Sequence, residues 1–423
     1  MHGTKFLGLY LGLCVLVSVS ACSGQDPLSH EDNAPAPAVL ADPQLLQRSE
    51  AEAKAEVQLF MEQLAPQVRG TAHKIASAGY VLSSEVAVRG SHTEAPPLDT
   101  LLYVLNVNDE KTAIVSGDLS SPAVLAVMEG KPQKDMLSQK TGTGFDFVAK
   151  NIVDYASSET ARRKWHERRF YISYFKMGPW ETIQKQEPML QVAWHQYSPF
   201  NDSVQMINET RAPAGCVPVA VAQFLTYHKW PNSFSNHTWF WEEMVANTSH
   251  TDIPILLRAL GQDLRSKYRE NFTSTSASAI DSFLNSQGFV AEMKKPFFSA
   301  DVLLNELQNK RPVFVWGENK KDTEGGSHVW IIDGFLKKER KLYQIYTNGT
   351  YRSERVQSRE HRYYFHCNWG WGVCNGYFLM EAFLPFDMPL IPENNNRGDS
   401  IYKPQGREYL YNNYACIIAK RKN

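Results

Sequence analysis

Residues 211–231 read Arg211-Ala-Pro-Ala-Gly-Cys216-Val-Pro-Val-Ala-Val-Ala-Gln223-Phe-Leu-Thr-Tyr-His228-Lys-Trp-Pro231. The run 217–229 has the composition of a helix, and Pro218 falls in its first turn, where a proline is tolerated. Cys216 is therefore predicted at a helix N-terminus, where free N–H groups and the helix dipole favour a thiolate. The alternative is a buried structural cysteine that packs as a small hydrophobic side chain.

A nucleophilic cysteine needs an imidazole and a group that orients it, and both are usually distant in sequence. The stretch Glu324-Gly-Gly-Ser-His328-Val-Trp-Ile-Ile-Asp333-Gly334 places a histidine at the start of a strand-like run. On a strand, His328, Trp330 and Ile332 share one face and Asp333 points the other way. Asp333 is thus a poor candidate for orienting His328.

A second strand-like run ends in a glycine-rich turn and reads Tyr363-Tyr-Phe-His366-Cys-Asn368-Trp-Gly-Trp371-Gly372. If this strand pairs with the one that carries His328, Asn368 is expected to accept a hydrogen bond from the second ring nitrogen of the histidine. The sequence thereby offers Cys216, His328 and Asn368, in chain order, as a catalytic trio.

Together these three stretches resemble the streptopain family of papain-like bacterial cysteine peptidases. The resemblance implies Cys216 as the nucleophile, His328 as the general base and later acid, and Asn368 and Trp369 as the pair that positions and shields the imidazole. Upstream, Ala193-Trp-His-Gln196-Tyr-Ser-Pro-Phe-Asn201 resembles the family's oxyanion segment. Gln196 is thus implied as an oxyanion donor beside the N–H of Cys216, a contribution of about 3 kcal/mol per donor.

The expected fold class is α+β, with a papain-like catalytic domain made of a helical part and an antiparallel sheet. The 423 residues are enough for two or three domains. We expect an inhibitory propeptide domain at 44–150, a connector that carries the activation cleavage at 151–187, and the catalytic domain at 188–423. These boundaries rest on the resemblance, which is looser for the propeptide than for the catalytic part.

Several elements are expected within these domains. In the catalytic part, helices at 252–260, 277–284 and 302–307 precede a strand at 312–316, an order typical of α+β folds. In the N-terminal part, Asp42-Pro43 is expected to cap a helix that ends near Pro66. Strands at 101–106 and 112–116 are expected to form a hairpin. The region 145–186, with a basic cluster at 161–169, is expected to be helical.

The N-terminus has the pattern of an export signal over residues 1–21, with Lys5 followed by an apolar run too short to be a permanent membrane span. Val19-Ser20-Ala21-Cys22 resembles a bacterial lipobox, which implies a lipid on Cys22 and a membrane-anchored lipoprotein of the bacterial envelope. Plain secretion with cleavage after Ala21 is the alternative. The polar, proline-rich residues that follow, 22–43, read as a flexible tether.

Three features depart from the family pattern. The extra residues 337–361 between His328 and Asn368 are expected to form an extended hairpin beside the cleft. Ser327 replaces the usual glycine before the histidine. The glycine-rich loop near the C-terminus is replaced by residues 392–400. We interpret Arg397-Gly398-Asp399 within them as part of a turn.

Charge and cysteine content narrow the choice of partners. The net charge of −1 comes without a basic block of the kind that binds nucleic acid, so no nucleic acid is expected as a partner. His361 and His366 lack a matching second pair of ligands, so no zinc or other metal is predicted, and no cofactor. Cys367 and Cys374 flank the glycine-rich turn and are open to either a disulfide or two free thiols.

The interpretation is an exported zymogen of a cysteine endopeptidase that forms an acyl-enzyme on polypeptide substrates, with its own propeptide as intramolecular inhibitor. One alternative keeps the same trio but acts as an amidase or transpeptidase on cell-wall peptides. The other is a surface-binding lipoprotein whose cleft has lost activity.

Overall fold

The computed structural model describes residues 47–64, 72–86, 98–119, 121–133, 136–137, 145–162, 175–294, 300–318, 327–348, 351–383, 390–394, 400–404 and 414–422. The export signal, Cys22, the tether, the Asp42-Pro43 cap, residues 163–169 of the basic cluster and Arg397-Gly398-Asp399 lie outside these ranges. Within them, every helix is too short or too polar to cross a bilayer.

The described α-helices are, in chain order, α1 (Glu50–Leu64), α2 (Phe145–Arg162), α3 (Cys216–His228), α4 (Trp241–Ala246), α5 (Asp252–Asp263), α6 (Ser278–Ser286) and α7 (Ala300–Gln308). Two short 3-10 helices lie at Ser83–Glu85 and Met380–Phe383.

The described strands of the first half are β1 (Ile75–Leu82), β2 (Thr100–Val107), β3 (Lys111–Ser116), β4 (Val124–Glu129), β5 (Phe175–Met177), β6 (Glu181–Gln186), β7 (Met206–Ile207), β8 (Thr210–Arg211), β9 (Ser233–Phe234) and β10 (His237–Thr238). Those of the second half are β11 (Lys267–Tyr268), β12 (Thr273–Ser274), β13 (Phe289–Lys294), β14 (Val313–Glu318), β15 (Ser327–Asn348), β16 (Tyr351–Asn368), β17 (Gly376–Leu379), β18 (Leu390–Asn394), β19 (Ser400–Pro404) and β20 (Tyr414–Arg421).

One 12-stranded sheet joins the N-terminal strands to the strands of the C-terminal half. Its order is β1-β2-β3-β4-β17-β16-β15-β14-β20-β13, and β5 and β6 pair with β15 beyond the end of β14. The link is the antiparallel pairing of β4 with β17, in which Val127 lies opposite Tyr377. The N-terminal region is therefore hydrogen-bonded into the edge of the sheet that carries the candidate active site.

The sheet separates two hydrophobic cores, and the alternation along β15 shows how. Val329 and Ile331 pack into the helical core around α3, while Trp330 and Ile332 pack into a core shared with α1, α2 and β1–β4. This is the period-2 alternation of a strand with both faces buried. The N-terminal region thus shares one continuous apolar core with the opposite face of the catalytic sheet.

Most of the expected elements are confirmed. Helix α3 covers the predicted nucleophile helix, α5, α6 and α7 cover the three later helices, and β14 covers the predicted strand. The hairpin expected from 101–116 forms as β2 and β3. The extended hairpin expected from 337–361 forms as the outer parts of β15 and β16. The mixed α and β composition, with one large antiparallel sheet, confirms the α+β class.

Two expectations are wrong in part. Of the predicted helical region 145–186, only Phe145–Arg162 is helix; β5 and β6 follow as strands, because their backbones pair with the long hairpin. Helix α1 begins at Glu50 rather than near Asp42, and Ser49 and Glu52 cap it by reciprocal hydrogen bonds, a capping box. The domain boundaries stay a prediction, and α2 runs across the one proposed at 150.

Candidate active site

Cys216 is the first residue of α3, as the sequence predicts. Gly215 before it has φ of 96°, a left-handed conformation that favours glycine, and a Cβ there would lie 3.0 Å from the Thr273 side chain. The helix behind Cys216 is almost entirely buried in the helical core, from Val217 to Thr226. The nucleophile is therefore carried on a rigid element, with its side chain at the helix N-terminus.

Backbone N–H groups surround the Cys216 sulfur. Hydrogen bonds from the N–H groups of Val329, Val217 and Cys216 lower the pKa of the thiol, but burial raises it by more, so the net pKa is above its ordinary value. The helix N-terminus thus supplies the predicted donors without producing a thiolate in this arrangement. Val329 directly follows His328, which places the sulfur beside the start of β15.

His328 lies buried near the start of β15, among three tryptophan rings. Its ring is 6.1 Å from that of Trp330, 6.3 Å from Trp369 and 6.0 Å from Trp371, centroid to centroid. Burial lowers the pKa of His328 to about 4, and its hydrogen bond to the carbonyl of Trp369 offsets this only in part. The imidazole is therefore neutral near pH 7.

The imidazole donates to a different acceptor from the one the sequence suggests. Nε2 of His328 lies 3.0 Å from the carbonyl oxygen of Trp369, which fixes the proton on Nε2 and leaves the lone pair on Nδ1. The two strands do pair, with Ile331 opposite Asn368. Asn368, however, donates from Nδ2 to the carbonyl of Val192 at 2.8 Å and accepts at Oδ1 from the N–H of Gly370 at 3.3 Å. In this arrangement, therefore, Asn368 accepts no hydrogen bond from His328.

Trp369 occupies the place that a shielding residue requires. Its side chain is fully buried, and its ring lies at 22° to the ring of His328. Its indole also packs 5.0 Å from Trp330 and 5.3 Å from Phe378. The rings of Trp330 and Trp369 thus both lie against the imidazole, whose burial lowers its pKa.

Gln196 lies in the segment that runs past the start of α3. The residue is buried, and its carbonyl accepts from the N–H of Ala214 at 2.8 Å, two residues before Cys216. The same segment is tied to the helix by Gln223, whose Oε1 accepts from the N–H of Trp194 at 3.0 Å. The candidate oxyanion donor and the nucleophile therefore belong to one internally hydrogen-bonded unit.

Comparison with known proteins shows what the chain is similar to. Residues 194–378, which contain all five candidate site residues, match the model of the peptidase C10 family. Streptopain from Streptococcus pyogenes is 23% identical over 343 residues, covering 67% of this chain and 75% of the streptopain chain. These similarities support a cysteine-type peptidase that resembles streptopain. Among solved structures, a mutant fragment of Prevotella intermedia prointerpain A aligns with a TM-score of 0.51 at 16% identity, covering 82% of this chain and 98% of that one. This last likeness confirms the fold.

Three residues of the peptidase site escape the sequence analysis. Gln223 is a polar residue in a buried apolar helix, a pattern that signals a tethering role. Trp371 lies in the quoted motif, and its ring is 6.0 Å from both His328 and the exposed Tyr197. Asn375 accepts at Oδ1 from the N–H of Trp369 at 2.9 Å. Nothing in the sequence pattern marks Asn375, because its contact depends on how the glycine-rich turn closes.

Asp333 has another partner, as the strand alternation predicts. Its carboxylate accepts from Nδ1 of His366 at 2.6 Å and from the N–H of Leu190 at 2.8 Å. This fully buried group anchors the start of the predicted catalytic domain to the sheet. It is therefore a structural anchor separate from His328.

The other cysteines near the site carry free thiols. Cys367, Cys374 and Cys416 are unbridged like Cys216, so the pair that flanks the glycine-rich turn forms no disulfide here. Among the described residues, no group of three or more His, Cys, Asp or Glu side chains is arranged to hold a metal ion.

Proposed function

We propose that the chain is the precursor of a cysteine endopeptidase in which Cys216 is the nucleophile and His328 its general base. One observation carries this proposal: the backbone N–H of Val329, the residue after His328, lies close enough to the Cys216 sulfur to lower the pKa of its thiol. Two stretches 112 positions apart in the printed sequence thus meet at a helix N-terminus. Such a meeting of thiol and imidazole elements is what nucleophilic cysteine catalysis requires.

The tautomer of His328 suits it to the role of base. With Nε2–H donated to the Trp369 carbonyl, the Nδ1 lone pair takes the proton of Cys216. The thiolate attacks the scissile carbonyl, and the imidazolium then protonates the leaving amine. Water hydrolyses the thioester, while the Cys216 N–H and the Gln196 side chain stabilise each oxyanion.

The same geometry supports a zymogen. The thiol pKa is raised and the imidazole pKa is lowered to about 4, so proton transfer from sulfur to nitrogen is unfavourable in this arrangement. The N-terminal region covers the β17 edge and shares a core with the sheet. We therefore assign activation to a cut within 151–187 and release of the N-terminal region, which acts as the intramolecular inhibitor.

The substrate class is a polypeptide. The ring of Tyr197, which is 43% exposed, lies 6.0 Å from that of Trp371, and we propose that the pair offers aromatic surface to an extended chain. We further propose export through the signal at 1–21 and a lipid on Cys22, which would place the peptidase on the bacterial envelope; this part rests on the sequence alone.

Hydrolysis of a mixed substrate set tests the proposal. The processed enzyme is incubated with an unfolded protein and with muropeptides, and the products are identified by mass spectrometry. We expect cleavage of the unfolded protein, abolished by Cys216→Ala and kept in Cys416→Ala, which removes a core thiol instead. Cleavage of muropeptides alone would assign the trio to an amidase, and cleavage of neither would favour a binding lipoprotein.

A further inference from the structure

We infer that Asn375 is a positioning residue for His328, and that through Asn375 the N-terminal region holds the catalytic imidazole in place. The inference rests on the proposed function only in naming His328 as catalytic. It is built from three consecutive hydrogen bonds that run from β4, in the predicted propeptide, to the imidazole ring.

The first link is the peptide unit that follows Trp369. Its carbonyl accepts from Nε2 of His328, and its N–H, that of Gly370, donates to Oδ1 of Asn368. Because both groups belong to one rigid plane, tilting this peptide would break the hydrogen bond to the imidazole. The N–H···O distance to Asn368 is 3.3 Å, at the long end for such a bond, so Asn368 alone holds the plane weakly.

The second link is Asn375, which closes the turn that this peptide opens. Its Oδ1 accepts from the N–H of Trp369 at 2.9 Å, and the residue is 6% exposed. Gly370, Gly372 and Cys374 within the turn all have positive φ, of 70°, 74° and 62°. The backbone of this turn is bonded to Glu129 and, through a bridge between Trp371 and His195, to the segment that carries Gln196. The side-chain bond from Asn375 is the one that ties the two ends of the turn to each other.

The third link joins this turn to the N-terminal region. The N–H of Glu129 donates to the carbonyl of Asn375 at 2.7 Å, and the N–H of Cys374 donates to the carbonyl of Glu129 at 3.1 Å. Both bonds continue the β4–β17 ladder beyond Gly376, the first residue of β17. When the N-terminal region leaves, Asn375 and Cys374 lose these partners, and the turn that presents the Trp369 carbonyl is held from one side only.

The chain therefore contains a physical connection between propeptide docking and the orientation of the base. While β4 is paired, the imidazole is fixed as the Nε2–H tautomer beneath Trp369. Once β4 leaves, the turn relaxes and the imidazole gains freedom to approach Cys216. The family resemblance implies that Asn368 bonds His328 directly. Here Asn368 instead accepts from the N–H of Gly370, in the peptide whose carbonyl bonds the imidazole, and donates to the carbonyl of Val192.

Imidazole nitrogen NMR on the full-length chain tests this inference. The chain is labelled with 15N-histidine and carries Cys216→Ala, so that it cannot process itself. In this background we expect a single Nε2–H tautomer for His328. Asn375→Ala should shift it towards the mixture of Nδ1–H and Nε2–H tautomers of a free imidazole. Asn375→Asp keeps an acceptor oxygen and should retain the original tautomer.

A backbone variant tests the third link without altering Asn375. Glu129→Pro deletes the N–H that donates to the Asn375 carbonyl, and it should produce a smaller shift of the His328 signals in the same direction. Lys131→Pro, two residues beyond the end of β4, is the matched control and should leave them unchanged. Signals of His237 and His250, in the helical part, report whether each variant keeps its fold.

Three outcomes would overturn the inference. The first is an unchanged His328 tautomer in both Asn375→Ala and Glu129→Pro. The second is Asn375→Asp behaving as Asn375→Ala, which would leave only a packing role. The third is that Asn368→Ala changes the Nε2–H tautomer of His328 while Asn375→Ala and Glu129→Pro do not. The Cys216→Ala chain needs no peptidase activity, so failure here is distinguishable from failure of the proposed function.

Discussion

The two sides of the active site are held by different parts of the chain. Cys216 and Gln196 belong to a unit built within the predicted catalytic domain, tied by Gln223 and by the Ala214–Gln196 backbone bond. His328 depends on the turn after β16, which is bonded to Glu129 of the N-terminal region. The bonds that hold Cys216 and Gln196 lie within the predicted catalytic domain. The turn that holds His328 is bonded in part to the N-terminal region, which processing is proposed to remove.

This difference shows where control of such a peptidase is most effectively placed. A helix N-terminus embedded in a core is rigid, so displacing it would cost much packing energy. A turn with left-handed residues is held by a few hydrogen bonds, so losing one changes its conformation at small cost. Regulation through the imidazole side therefore needs less free energy than regulation through the cysteine.

The comparison requires that both sides be essential to chemistry. In the processed enzyme, Cys216→Ala and His328→Ala should each lower kcat/KM by about 10^5-fold or more, and the double variant should lose little beyond either single one. Steady-state kinetics on a peptide substrate measures this. Full additivity of the two losses would mean that the residues do not act as a unit.

The nucleophile side should carry oxyanion stabilisation independently of the N-terminal region. Gln196→Ala should lower kcat by about 10^2- to 10^3-fold with little change in KM, because the donor acts mainly on the transition state. The exposed Gln262→Ala on α5 is the matched control. A rise in KM with kcat unchanged would instead make Gln196 a substrate-binding residue.

A buried lysine gives the packing of α1 against β15 a pH dependence. Lys338 on β15 lies 3.9 Å over the ring of Phe60 and donates to Gln63, both on α1. Burial lowers the pKa of Lys338 to about 7. Between pH 7 and 10.5 the unfolded chain therefore binds the extra proton, so the free energy of unfolding of the precursor should rise with pH across this window, by about 4 kcal/mol.

Lys338→Met should flatten this rise, since it removes the titrating group but keeps the packing against Phe60. Denaturant unfolding at several pH values measures it, with Lys337→Met as the control on the neighbouring, more exposed position. An unchanged slope in Lys338→Met would show that the lysine is not the source.

The link between the two regions can be loosened at one glycine. At Gly376 on β17, a Cβ would overlap the carbonyl of Val127 and the Cα of Met128 on β4. Gly376→Ala should therefore weaken β4–β17 pairing by about 1–3 kcal/mol. Hydrogen exchange of residues 124–129 in the Cys216→Ala chain should speed up accordingly.

A second glycine in the N-terminal sheet provides the control for this effect. At Gly79 on β1, a Cβ would lie 4.0 Å from Val104, an ordinary contact, so Gly79→Ala should leave exchange at 124–129 unchanged. Equal exchange in the two variants and the parent chain would contradict the importance of the β4–β17 edge.

Local patterns of the sequence predict the elements of the catalytic part well. The nucleophile helix is displaced by one residue from its predicted bounds, and the long hairpin follows from alternation around a turn signal. The strands at 175–186 were missed because their short runs alternate weakly and owe their conformation to pairing with β15. The α1 start was misplaced although Ser49 and Glu52 spell a capping box.

The site is predicted as a set of residues but not as a set of hydrogen bonds. Cys216, His328, Asn368 and Trp369 do assemble at neighbouring strand and helix ends. Which oxygen accepts from the imidazole depends on the conformation of the turn after β16, in which Asn375 and Glu129 make hydrogen bonds. Contacts between residues so far apart along the chain cannot be predicted from a local sequence pattern.

Intact-mass analysis of inhibitor labelling tests the central claim most directly. The chain, before and after processing, is treated with an epoxide-type thiol inhibitor, and the modified residue is located by peptide mapping. The account predicts one label, on Cys216, that forms much faster after processing and is lost in Cys216→Ala and strongly slowed in His328→Ala. No label on Cys216 after processing, or equal labelling rates with and without the imidazole, would contradict it.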